Sequence, residues 1–157
     1  MILFLIGFFL ATYAITGLWR NLSKSMRGRI TLTVFFLFTG LSHFLMTERM
    51  AQMLPPSVPM RTTIIYVTGV LEILGAIGLL INPLQKITAW ALIVFLIGVL
   101  PANIYAAIAH VNFGGHEYGP AYLLIRVPFQ IFLILWCYYF GIKQTGQKRQ
   151  SQFSTAA

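Results

Sequence analysis

The stretch TIIYVTGVLEILGAIGLLI, residues 63–81, decides the reading of the whole chain. It carries one ionisable residue, Glu72, in an otherwise apolar or small-residue run. A helix rises ~1.5 Å per residue, and roughly 20 mostly apolar residues cross the hydrocarbon of a bilayer. The run is that long, and the prolines that flank it, Pro59 and Pro83, fit a helix bounded on both sides.

Working outward, four more runs of the same kind follow the same logic, at about residues 2–19, 30–46, 87–109 and 121–140. Five such helices with short connections use nearly all of the 157 residues and leave no room for a separate soluble domain. Only 9% of the residues are charged and 58% are hydrophobic, against about 25% charged in soluble domains. The expected fold is therefore an all-α membrane protein: a four-helix transmembrane bundle over residues 30–140, preceded by an additional N-terminal transmembrane helix within 1–19 and followed by a polar, basic tail over 141–157. The segment TERMAQMLPPSVPMR holds three prolines and cannot be one unbroken helix. The segment HVNFGGHEYGP reads as turns.

The formal charge of +8 does not point to nucleic acid. The basic residues stand between apolar runs, without the aromatic interleaving of a nucleic-acid groove, and there they act as topology signals. Five alternating crossings gather Arg20, Lys24, Arg27, Arg29, Lys86, Lys143, Lys148 and Arg149 on one side and leave Arg49 and Arg61 on the other. The richer side is expected to be cytoplasmic, which puts the N-terminus outside and the C-terminus inside a cell (inner) membrane. No positive charge precedes the first run, so it reads as a retained anchor rather than a signal peptide. Trp19, Trp90 and Tyr118 stand at run ends as interface anchors.

Ionisable and amide groups inside hydrocarbon are costly and need a reason. The candidates are His43, Glu72, Asn103, Arg126 and Gln130. Depth, counted from the rise per residue, places all five in the half of the membrane away from the basic loops, with Glu72 roughly 6 Å deeper than Arg126. Nothing comparable is expected in the other half. Helical spacing joins Glu72 with Thr68, Gly69, Gly75 and Ala76, and His43 with Thr39 and Gly40. Arg126 shares a face with Tyr122, Gln130 and Cys137. Small residues let membrane helices approach closely, so these faces are expected to meet, with the first helix at the periphery on its weaker face of Tyr13, Thr16 and Gly17. Pro101 and Pro128 free the carbonyls of Ile97 and Leu124, for which Arg126, Gln130 and Asn103 are candidate donors.

Each residue also has a plainer reading. Glu72 and Arg126 make either a ligand or proton site or a packing pair, with Gln130 an alternative partner for Glu72. His43 near a helix end is either a relay or a hydrogen-bonded residue. His110, His116 and Glu117 share one loop, but their spacing fits no established metal site, and no metal is expected. Cys137 is the single cysteine, so neither an intramolecular disulfide nor an iron–sulfur site can form within the chain.

The runs FLFTGLSHF at 36–44, TGVLEILGAIGLL at 68–80, VLPANIYAA at 99–107 and LIRVPFQ at 124–130 resemble the DoxX-like membrane proteins. That resemblance implies a four-helix bundle with the five polar residues as recurring anchors. It also implies a membrane subunit or anchor of a quinone- or thiol-linked redox system, with a diffusible quinone as the cofactor and a soluble oxidoreductase as the partner. The chain is not expected to be a catalyst on its own. A small proton-coupled transporter and a non-catalytic scaffold stand as alternatives.

Overall fold

The computed structural model describes residues 2–19 and 21–144. Arg20 and the part of the expected basic tail from residue 145 onward, with Lys148 and Arg149, lie outside the described residues. The described chain is helical throughout, with no strand. Its long elements are α1 (Ile2–Leu18), α2 (Lys24–Leu45), α4 (Arg61–Gly78), α5 (Gln85–Ile108) and α6 (Leu123–Trp136). A five-residue helix, α3 (Thr47–Ala51), follows α2. A 3₁₀ stretch (His116–Tyr122) leads into α6, and a π-helical stretch (Cys137–Lys143) continues it.

Four of these segments are long and apolar enough to cross a membrane: Lys24–Leu45, Arg61–Gly78, Gln85–Ile108 and the composite His116–Lys143. α1, at 17 residues, is the shorter apolar helix beside them. Large apolar side chains cover the outside of the bundle, among them Leu124 at 78% exposure, Ile87 at 68% and Val94 at 66%. Such a surface matches acyl chains and would be an aggregation hazard in water. The chain is a membrane-embedded helical bundle.

α2, α5 and the π-helical stretch gather Lys24, Lys86 and Lys143 at one end of the bundle, here the basic end. The α3 segment and the 3₁₀ stretch close the opposite, loop end.

α2 and α4 make the closest crossing, and small residues explain it. A Cβ built on Gly40 would lie 3.1 Å from the carbonyl oxygen of Gly69, and one built on Gly69 would lie 2.7 Å from the Cβ of His43. Only hydrogen fits at either position. Below the crossing, Leu32, Leu79, Ala89, Leu92 and Cys137 form the tight centre of the core. α1 lies outside the pair α2 and α6, as expected of a peripheral helix, but it is well anchored. Residues at helical spacing, Ile2, Leu5, Phe9 and Thr16, are buried. Phe9, 1% exposed, meets Phe35, Phe132 and Trp136 edge-on.

One expected boundary moves in a way that matters. α2 begins at Lys24 rather than near residue 30, because Ser23 caps it: its side chain accepts from the Met26 amide at 3.3 Å. Arg27 and Arg29 are therefore helical residues, not loop residues. The helical path also runs on through Lys143, into the segment expected to be tail.

Candidate functional site

The tight crossing at Gly40 and Gly69 sets two side chains face to face. The nearest approach of His43 Nε2 to Glu72 Oε2 is 3.8 Å. His43 Nδ1 lies 3.1 Å from the Ile65 carbonyl oxygen, and the Thr68 hydroxyl is 3.0 Å from the same nitrogen. A carbonyl only accepts, so Nδ1 carries the proton and turns Nε2 toward the carboxyl group.

The second half of the site comes from α5 and α6. Arg126 Nε donates to Asn103 Oδ1 at 3.1 Å, and Asn103 Nδ2 donates to the Val99 carbonyl at 3.0 Å. Gln130, one turn beyond Arg126, donates through Nε2 to the Leu96 carbonyl. The expected donors thus serve Leu96 and Val99, not the carbonyls of Ile97 and Leu124. The side-chain amides reach the carbonyls that lie on the inward face of α5, whereas Ile97 and Leu124 are exposed on the outside.

All five residues predicted from the sequence, His43, Glu72, Asn103, Arg126 and Gln130, line one cavity of about 480 Å³ toward the loop end. Its remaining wall is mostly apolar and aromatic, with Phe35, Phe36 and Phe38 of α2 and Phe4 and Leu5 of α1. α3 and its flanks add Met46, Met50 and Met53. The size falls within the roughly 300–1,000 Å³ of small-molecule pockets, and so does the balance of a largely apolar wall with a few converging polar groups.

A direct Glu72–Arg126 ion pair does not form. Each takes a nearer partner on an adjacent helix, His43 for Glu72 and Asn103 for Arg126. The difference in depth is the reason, since Arg126 sits above Glu72 on a helix that starts from the same end. Gln130 is likewise engaged with α5 rather than with Glu72.

Sequence reasoning did not place His116 with this site. The sequence offers it only as one of three loop residues whose spacing fits no metal site, yet it is 2% exposed and lines the cavity. The loop folds inward because Gly115 (φ 107°) and Gly119 (φ 69°) adopt backbone angles that other residues resist. A Cβ on Gly115 would strike the Tyr122 ring at 2.5 Å. Tyr122 packs on the His116 ring at 4.8 Å between centroids. The two glycines and the aromatic were the available signal. His110 turns away from this group and lies 3.3 Å from the Glu117 carbonyl oxygen through Nδ1.

The expectation that the opposite half is free of buried polar groups is corrected. Arg29, 5% exposed, donates through Nη1 to Gln85 Oε1. Gln85 Nε2 lies 3.4 and 3.2 Å from the carbonyl oxygens of Phe140 and Gly141 in the π-helical stretch. This clasp ties α2, α5 and the last helix together at the basic end. It was hidden because both residues fall in stretches that read as loops from the sequence: Arg29 is helical because α2 starts at Lys24 under the Ser23 cap, and Gln85 is itself the first residue of α5.

A family model described as a domain of unknown function, DUF8561, matches residues 32–141. No curated protein matches the chain, and neither does any solved structure. The match overturns the likeness to DoxX-like proteins. That likeness rested on short apolar runs, and close-packed membrane helices everywhere reuse the same few small and apolar residues. The redox subunit role implied by it loses that support, and function has to be argued from the cavity.

Proposed function

The chain belongs to the DUF8561 family, whose description carries no activity, and from the cavity we propose that it binds the ring head of a lipid-soluble amphiphile of the quinone class. One observation carries the reading: four helices bring five polar residues to one aromatic-walled cavity of about 480 Å³. A packing network needs no space at its centre, and close-packed interiors hold few voids larger than a water molecule. A ring with polar substituents matches both walls, the aromatic side chains on one hand and Arg126 with Asn103 on the other.

Phe4 and Phe38 belong to the cavity wall and are also exposed at the bundle surface, so the ligand's tail has a path into the acyl region. The gathering of Lys24, Arg27, Lys86 and Lys143 at the basic end supports a cytoplasmic C-terminus and an N-terminus outside, in a cell (inner) membrane. The cavity then opens toward the non-cytoplasmic leaflet.

The test is native mass spectrometry on protein released gently from its own membranes, with extraction of bound lipids. A quinone-class molecule retained near one per chain, and lost in Arg126→Leu, is the expected result. Protein that carries no such molecule, and that decylbenzoquinone and decylhydroquinone both fail to stabilise, would refute the reading.

A further inference from the structure

We infer that the occupant's head carries hydroxyl donors, so that among quinone-class ligands the site selects the reduced, hydroquinone form. This rests on the reading that the cavity binds such a ring.

Three buried atoms set in residues of the cavity wall have no hydrogen-bond partner within the protein: Gln130 Oε1, His116 Nε2 and Glu72 Oε2. Their residues are all at least nine-tenths buried, at 3%, 2% and 8% exposure. The chemistry of the first two is fixed by their neighbours. Gln130 turns its amino group to the Leu96 carbonyl, so the free atom is the amide oxygen, which only accepts. His116 Nδ1 lies 2.8 Å from the Phe113 carbonyl oxygen and must carry the ring proton, so neutral Nε2 is a bare acceptor. The third is a carboxyl oxygen facing His43 Nε2 at 3.8 Å, too far for a hydrogen bond between them.

Leaving a buried acceptor unmet is costly, and native interiors rarely tolerate it. Two acceptors fixed by their neighbours, Gln130 Oε1 and His116 Nε2, in the wall of one cavity describe a site that asks for donors. Arg126 adds the complementary need. Its Nε is given to Asn103, and its guanidinium lines the cavity with further N–H groups that only donate. A hydroxyl answers both, donating its proton to the acceptors and offering its lone pairs to Arg126. A quinone carbonyl answers Arg126 alone, and an ether does the same.

Affinity of purified protein in detergent for three probes separates these cases, under argon: 2-decylhydroquinone, 2-decylbenzoquinone and the dimethyl ether of the hydroquinone. The hydroquinone is expected to bind about tenfold or more tightly than either of the others, the worth of one to two net hydrogen bonds. His116→Phe keeps a ring against Tyr122 and removes one acceptor, and it is expected to shrink the preference for the hydroquinone over its dimethyl ether several-fold. The ligand series does not depend on the variant's folding. Equal binding of all three probes would overturn this inference and leave the cavity reading standing. Binding of none would refute the cavity reading itself.

Discussion

At the scale of single residues, Arg126 depends on Asn103, the side chain that accepts from its Nε. Asn103→Leu removes its acceptor and leaves a partly buried guanidinium without it, so a loss of about 1–3 kcal/mol is expected in thermal unfolding in detergent. Glu72→Gln keeps the shape and replaces the carboxyl group beside His43 with an amide. A folded protein of near wild-type stability is expected, with ring-ligand affinity reduced about tenfold. Unfolding of Glu72→Gln with unchanged affinity in the folded fraction would instead mark the carboxyl as a packing group. The five polar residues were legible because hydrocarbon penalises each of them; which atoms pair was not, since ~1.5 Å per residue fixes depth but not side-chain reach.

At the scale of helices, the small-residue faces of α2 and α4 could be read directly from Thr39, Gly40, Thr68 and Gly69, because close approach in lipid requires them. Gly69→Ala places a methyl 2.7 Å from the His43 Cβ, a contact that only helix separation relieves. A cost of about 1–3 kcal/mol is expected, together with weaker ligand binding as His43 and Glu72 move apart. The matched change at Gly7, where a Cβ meets nothing within 4 Å, is expected to alter neither. The clasp at the basic end was not legible, because its two side chains lie at helix starts that sequence placed several residues too late. Gln85→Leu strips the Arg29 guanidinium of its acceptor and two carbonyls of their donor. It is expected to cost more than Asn103→Leu and to loosen the π-helical stretch, seen as faster amide hydrogen exchange at residues 137–143.

At the scale of the whole molecule, composition fixes a helical membrane protein, since a chain with 9% charged residues cannot cover a water-facing surface. Topology depends on the placement of basic residues and is open to direct test. Cys137 is fully buried, so an introduced cysteine is the accessible thiol. Lys86→Cys is expected to label only from the cytoplasmic side and Ser57→Cys only from the outside with an impermeant maleimide. The reverse pattern would invert the orientation and put the cavity in the cytoplasmic leaflet.

The Arg29–Gln85 clasp and the packed layer of Leu32, Leu79, Ala89, Leu92 and Cys137 above it stopper the bundle on the side away from the cavity. The vestibule is a cul-de-sac. A molecule that slips in among the aromatics has to back out by the same door. Liposomes carrying the protein should therefore stay as tight to protons and small solutes as empty ones, whether or not the vestibule is occupied.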